Sequence, residues 1–543
     1  MSLKHIITAF LSSLPMLAFA QALQLDWVAE YPCLAPNSLE YDKVVTDEDQ
    51  NVYLLGTAVS SIIPLLYSTA ILTLKYDSIG SLLWESKFDN LFSDQFYDCA
   101  FNGDDALIVA GQRGSLPGSD PDRAEIVNYD SESGEPLWQT FIFDTVAVGA
   151  DLVDIDLDEE GNIYAFGLYN SYMVYDSGKM FVAKVASGDG EILWTKVFQK
   201  EFNAIKGKVM ADRIRIFGGR FLGIFDYTEL LIDIDFEGNV LASADLPHIA
   251  YINSGPGIYY SYFFFDHEGY LITFGYKVCK FGVAEEPVWC FDFAQGLPGM
   301  IGQAMTAVAD ETGNVYATGY LRDTITEAEY TQTVKLSPDG ELLWSTTDKY
   351  SDEARFEPGE VIAISGQSVF VCANIWYYDS NGNPEKNDYR VFLYSIVDGS
   401  ILYDTLIDAN VFDTPFNAHY SKGHFYLLGR SYDPWGSSAG YQYKLFKFSV
   451  DETVDATGVP PGKNEVRIFP NPTNGLVTIS QSGEKRFNQA LLYDAEGRLV
   501  FYKDLDKTEQ VLRLQNLPSG VYLIKLTGKE AIVTRKLVVG SSQ

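Results

Sequence analysis

One unit recurs along this chain with a spacing of about 50 to 60 residues, and no other feature restricts the fold so strongly. Each copy opens on an acidic turn and an apolar strand ending in Gly, crosses a variable connection to a second strand, and closes with a Gly turn and a Leu-Trp strand. The clearest copies run from Asp47 to Trp84, Asp158 to Trp194 and Asp310 to Trp344. Aligned on the last strand, the aromatic position falls at Trp84, Trp138, Trp194, Ala242, Trp289, Trp344 and Tyr403. Segments rich in Val, Ile, Leu, Tyr and Phe alternate with Asp-Gly, Gly-Asn and Asn-Gly turns, which is hairpin chemistry, and amphipathic helical stretches are almost absent. A period of this length suits a four-stranded propeller blade rather than a helical repeat.

Seven units are complete. An eighth begins at Ala418 and carries His424 to Gly429 and Tyr443 to Val450, with no Leu-Trp strand after them. Leu25 to Tyr31 supplies the missing element, with Trp27 where a blade Trp belongs. An open ring would leave strand edges bare, so the expectation is an all-β, eight-bladed β-propeller closed by residues 24 to 31, with a seven-bladed ring as the alternative.

Charge divides the chain. Residues 462 to 543 hold 12 Lys+Arg and 8 Asp+Glu, a balance of +4, whereas the whole chain is at -35, leaving -39 before that point. The change falls across the Pro/Gly-bearing stretch 451–462, read as a linker. A propeller over 21–450 and a small β-sandwich over 463–543 follow, the latter from seven short strands separated by Pro-Asn-Pro, Asn-Gly, Glu-Gly and Pro-Ser-Gly turns, as suits an immunoglobulin-like fold. At the start, Lys4, the apolar stretch Ile6 to Phe19 and Ala18-Phe19-Ala20 read as a signal peptide over 1–20. That stretch is too brief for a membrane span, and no later segment is long and apolar enough to replace it. Strong acidity argues against a nucleic-acid partner.

The last segment resembles the type A C-terminal sorting domain of cargo for the type IX (Por) secretion system of Bacteroidetes. Pro470, Asn471, Pro472, Gly475, Gly497, Arg498, Pro518, Gly520, Tyr522, Lys536 and Val538 carry the match. The resemblance implies periplasmic transit, recognition by the outer-membrane translocon, removal of the domain by a sortase-like peptidase, and an extracellular or cell-surface destination. The upstream repeat resembles that of quinoprotein (pyrroloquinoline-quinone) propellers, in which a Trp of each blade packs against its neighbour. Their adjacent Cys-Cys pair is absent, so the resemblance implies the repeat and not the cofactor.

Candidate site residues come from the connections between second and third strands, which read as long loops: Thr57 to Ala70, Gln112 to Glu125, Leu168 to Met180, Asn374 to Tyr389, and Arg430 to Tyr441. Two of these, on neighbouring units, are aromatic. One presents Trp376, Tyr377, Tyr378 and Tyr389, the other Tyr432, Trp435 and Tyr441, and aromatics interleaved with Asn, Asp and Ser suit a surface that stacks sugar rings or grips an extended peptide. No His pair has metal-ligand spacing and Gly-x-Ser-x-Gly is missing, so no catalytic residue is assigned. Asp47-x-Asp49-x-Asn51 and Asp154-x-Asp156-x-Asp158 alternate oxygens as calcium loops do, but lack the closing Glu; alternation also follows from a polar-faced strand entering a hairpin, so no cofactor is expected, with calcium as the alternative. Counting back from a turn sets Cys279 opposite Cys290, a candidate disulfide, and leaves Cys33, Cys99 and Cys372 unassigned. The expected function is a binding module for glycan or protein on its long-connection face. The alternative is a polysaccharide hydrolase or lyase using carboxylates near the channel.

Overall fold

Repeats of alternating apolar and polar residues, punctuated by Asp- and Gly-bearing turns, fold as consecutive antiparallel four-stranded sheets. The computed structural model describes residues 23–33, 43–63, 66–88, 94–103, 106–114, 123–143, 149–169, 179–198, 203–223, 226–246, 263–349, 354–356, 358–379, 384–407, 412–432 and 441–450. In the C-terminal part it describes 466–469, 476–481, 487–493, 498–505, 507, 509–514, 517–518, 520–528 and 532–539. The signal-peptide and linker expectations lie outside these residues.

Residues 23–450 form one compact unit. Sheets 1 to 6 span 43–88, 95–142, 150–197, 203–246, 263–292 and 300–348, each with its four strands in chain order. Sheet 7 (359–407) has the same order, sheet 8 has its three strands over 412–450 in chain order with Leu23–Cys33 as the outer fourth, and a single parallel bridge, Asn387 to Phe412, joins the two. Successive four-stranded sheets packed face to face are the construction of a β-propeller. Leu23–Cys33 pairs antiparallel with Tyr441–Val450, from Leu23 opposite Val450 to Cys33 opposite Tyr441. Each sheet shares an apolar cluster with the next. Leu107 and Val109 of sheet 2 pack with Tyr53 and Leu55 of sheet 1, and Tyr426 and Leu428 of sheet 8 pack with Val52 and Leu54 of sheet 1.

The Trp series locks these joints. Trp84 lies opposite Lys75, Trp194 opposite Lys184, Trp289 opposite Lys280, Trp344 opposite Lys335 and Trp27 opposite Lys447, the same register in five sheets. The Trp84 indole N–H donates to the Ser131 carbonyl (3.2 Å), that of Trp138 to Ser187 (3.0 Å), that of Trp289 to Pro338 (2.7 Å), that of Trp344 to Ile396 (3.1 Å) and that of Trp27 to Ser78 (3.0 Å). In each case the acceptor is in the turn between third and fourth strands of the following sheet, with sheet 1 following sheet 8. The turn Gly must be bare for the ring to lie there. Gly134 has φ +74, and a Cβ on it would sit 2.6 Å from Trp84. Gly134→Ala is therefore expected to cost about 1–3 kcal/mol, read as a lower denaturant midpoint at unchanged slope.

The structure corrects two of the expected loops. Thr57 to Ala70 is a hairpin, with strands Val52–Ile63 and Leu66–Tyr76 separated by two residues. Asn374 to Tyr389 is mostly strand as well, Ser368–Tyr378 and Pro384–Ser395. In both, the pleat continues past the body of the sheet because each strand still has a partner to satisfy its N–H and C=O groups. In sheet 5, Cys279 and Cys290 stand directly opposite and form a disulfide. Cys99 and Cys372 are buried thiols.

The second unit contains two sheets, Val466–Phe469, Leu476–Gln481 and Glu509–Arg513 in one, and Leu499–Asp504, Phe487–Tyr493, Gly520–Gly528 and Ile532–Val539 in the other. They close on a core that includes Val477, Ile479, Leu492, Ile524 and Leu537. The Pro-Ser-Gly-x-Tyr sequence has a mechanical reason: the Tyr522 hydroxyl reaches back to donate to the Pro518 carbonyl at 2.7 Å, fixing the corner before the strand that Gly520 begins. Arg498 is exposed, and Lys536 and Val538 flank buried Leu537 in the last strand. Pro470, Asn471, Pro472, Gly475 and Gly497 lie outside the described residues.

Candidate functional site

The hairpin of sheet 7 is long and stays paired, which makes its end a β-structured platform. Ser368–Tyr378 and Pro384–Ser395 stay paired out to Tyr378 opposite Pro384, and the short strand Ala354–Phe356 adds itself alongside Trp376 and Tyr377. Alternation puts Trp376 and Tyr378 on one face and Tyr377 on the other, all three half-buried. The Trp376 ring lies 6.2 Å from Phe412, and the Lys386 ammonium stands 4.9 Å from the Tyr377 ring while pairing with Asp388 at 2.9 Å. Trp376 and Tyr377 are thus each held by a neighbour, and all three rings keep part of their surface exposed.

Beneath the platform a buried polar network ties sheets 7 and 8. The Asn387 amide donates to Asn374 Oδ1 (2.8 Å), Asn387 Oδ1 accepts from the Asp413 backbone N–H (2.5 Å), and Ser431 Oγ donates to Asp413 Oδ1 (2.5 Å). All four residues are at most 1% exposed. Tyr389 belongs to this underlayer. It stands directly opposite Asn374, on the same side of the sheet as Trp376 but further into the body of the sheet, where it joins the sheet 7–sheet 8 cluster, fully buried with its hydroxyl donating to the Arg430 carbonyl at 2.9 Å. The bases of the two aromatic segments are therefore joined. Tyr432 ends one strand of sheet 8 and Tyr441 begins the next, directly opposite each other, and Trp435 lies outside the described residues.

The inner strands of sheets 1 to 4 carry a charged arc that the sequence left unresolved. Lys43 pairs with Asp98, and Lys206 with Asp154 at 2.8 Å. Asp98 also accepts from the Ile155 N–H, and Asp154 from the Gly207 N–H at 2.8 Å, so each carboxylate stitches its strand to the next sheet. Burial pushes the Asp154 carboxyl up to about 7 against the pull of Lys206, and the charge of Asp98 adds to the rise. Against the cost of burial, Lys43 and Lys206 hold Asp98 down at about 2. The pair thus keeps one proton when folded. An acid whose folded pKa is raised binds more protons folded than unfolded, so its contribution to stability falls from about pH 4 to about pH 7 and is flat above. Asp154→Asn removes that loss. Its stability relative to wild type should improve by on the order of 2 kcal/mol between pH 5 and pH 8 in denaturant unfolding; a pH-independent difference would contradict the shared proton.

The turn carboxylates have local partners. Asp47 accepts N–H bonds from Asp49 (3.1 Å) and Asn51 (2.8 Å) and the Tyr53 hydroxyl (3.0 Å), with the Lys75 ammonium 3.4 Å away; Asp158 pairs with Lys184 (2.9 Å) and Asp266 with Lys280 (3.0 Å). Asp156 pairs with Lys208 at 3.0 Å. Each of these Asp residues has a lysine as counter-charge, and for Asp47, Asp158 and Asp266 it is the Lys that stands opposite the Trp position of the same sheet. Among the described residues no group of three His, Cys, Asp or Glu side chains is arranged to hold a metal, and no helix is long and apolar enough to cross a membrane.

Residues 467–540 match the family model described as a secretion system C-terminal sorting domain. The chain carries that domain, which implies export by the type IX machinery to the cell surface or beyond. Among curated proteins none matches the sequence. Similar solved structures include a quinohemoprotein alcohol dehydrogenase from Pseudomonas putida HK5 (11% identity, TM-score 0.33, 83% of this chain and 79% of that one). Others are the WD40 domain of SCAP from fission yeast (10%, 0.39, 77% and 98%) and the propeller domain of the Trilobed protease from Pyrococcus furiosus (10%, 0.35, 68% and 97%). At such scores none of them bears on what this chain binds.

Proposed function

We propose that this chain is an exported eight-bladed propeller that binds a glycan on its long-connection face, with Trp376 and Tyr378 as the stacking residues. The observation that carries the reading is the platform itself: half-exposed aromatic rings held on paired strands over a buried polar network, so little ordering remains to be done on binding. The eight-blade count rests on eight strand quartets, and closure by residues 24 to 31 on the ladder to Tyr441–Val450 and the Trp27 clasp. In this reading residues 1–20 are a leader, 21–450 the working domain, 451–462 the linker, and 463–543 the address, read by the translocon and removed by a sortase-like peptidase. The test is retention of the purified protein on a polysaccharide array, with and without Trp376→Ala and Tyr378→Ala.

A second reading, polysaccharide hydrolysis or lysis in the channel, draws on Asp154 keeping its proton while Asp98 stays ionised, a proton donor beside a base. Against it, their side chains are only 4% and 11% exposed and each is held by a lysine. New reducing ends that vanish in Asp154→Asn would establish it.

A further inference from the structure

We propose that the first strands of sheets 1 to 4 hold an anion site in the central channel, where Lys43 and Lys206 take the carboxylate of a small monovalent organic acid. First strands adjoin one another from sheet to sheet and line the channel of a propeller. Lys43, Asp98, Asp154 and Lys206 fall in one storey of that wall. Each stands opposite the residue just before a Gly of its second strand: Leu55, Ala110, Phe166 and Phe217. In sheets 2, 3 and 4 a β-bulge immediately precedes the charged residue, a device that re-aims side chains. The same storey holds uncharged Thr306, Val361 and Asn417 in sheets 6 to 8, so the charge is confined to one arc.

What the arc shows to the channel is its cations. The side chains of Lys43 and Lys206 are 37% and 36% exposed, against 11% and 4% for their partners Asp98 and Asp154. The ammonium groups are not used up. Among the described residues Lys43 donates to Asp98 and to the Cys99 carbonyl (3.0 Å), and Lys206 to Asp154 alone, so of their six N–H groups three remain. Both lysines stay charged: against the cost of burial, Asp98 raises Lys43, and Asp154 and Asp98 raise Lys206 while the Lys43 charge opposes them. Since the two carboxyls keep one proton between them, two positive charges face one negative. His419, on the first strand of sheet 8, feels the same field, because burial and then the Lys43 charge pull it down to about 4. Further along, Lys208 pairs with Asp156 and leaves the balance unchanged. One carboxylate would neutralise the excess, its two oxygens accepting from two separate ammonium groups. A dianion would overshoot it, and in a chain at -35 a polyanion is repelled at long range. The site owes nothing to the glycan reading, since the platform lies on sheet 7.

The test is calorimetric titration of the full chain with sodium acetate, replacing chloride at pH 7 and constant ionic strength. Acetate is expected to bind saturably, with half-saturation on the order of 1 mM, and Lys206→Gln to weaken it at least about tenfold. Lys43→Gln should do the same, and serves if Lys206→Gln fails to fold. Lys422→Gln, which removes an exposed lysine paired with Glu48, should leave acetate binding unchanged. Absence of saturable binding, equal binding by wild type and the channel variants, or an equal loss in Lys422→Gln overturns the site. Sulfate binding more tightly than acetate overturns the choice of a monovalent ligand.

Discussion

Deleting Leu23–Cys33 is expected to abolish the cooperative unfolding transition of the propeller and drive the protein into aggregates. The strand supplies the whole outer edge of sheet 8, and without it Tyr441–Val450, still paired to His424–Tyr432 on its other side, presents a bare edge as a template for another chain. The loss is not only of ladder. Leu23 and Ala29 are buried in the clusters that join sheet 8 to sheets 7 and 1. Trp27 clasps the turn at Ser78, and Tyr31 and Glu30 reach Glu85 and Lys444 at 2.8 and 2.7 Å. Burial of these side chains and the joint they seal amount to on the order of 5 kcal/mol or more, comparable with the whole stability of a domain. A synthetic peptide of residues 23–33 should restore a single melting transition, and the same peptide with Trp27→Ala should not. An unchanged melting temperature in the deletion would show that the ring is held elsewhere.

The second large effect is functional. Replacing Trp376 and Tyr378 together by Ala is expected to lower glycan affinity by about 100-fold or more, since two central aromatic anchors each contribute around 2 kcal/mol in a well-formed site. Stability should change little, because both rings are half-exposed and the network of Asn374, Asn387, Asp413 and Ser431 lies below them untouched. Tyr389→Ala gives the opposite signature. Its side chain is core, so the variant should lose about 3–5 kcal/mol of stability by cavity formation and show weakened binding only as far as it unfolds. Parallel calorimetric melts and binding isotherms for the two variants separate the roles.

Much of the architecture was legible because the repeat is punctuated. Acidic turns, Gly turns and a Trp at a fixed distance mark most fourth strands, Ala242 and Tyr403 being the exceptions, and Trp27 stood out as a blade Trp in an otherwise unplaced N-terminal segment. The C-terminal motifs were legible for a similar reason, each being a turn whose chemistry is local, as Tyr522 and Pro518 illustrate. What the sequence hid was pairing at a distance. Thr57 to Ala70, with three Ser and a Pro, and Asn374 to Tyr389, rich in Asn and Asp, read as loops, and only the facing strand makes them hairpins. Tyr389 looked like its neighbours Tyr377 and Tyr378 because composition does not record how far into the body of the sheet a residue lies once the strand continues. The Lys43, Asp98, Asp154 and Lys206 arc comes from four sheets whose register no motif announces.

The most direct test of the binding claim is retention of the purified protein on a polysaccharide array, read also for new reducing ends, beside the Trp376→Ala, Tyr378→Ala double variant. Retention of the wild type without cleavage, lost in the variant, is the predicted result. Equal retention by both proteins, or cleavage that survives in the variant, would contradict it.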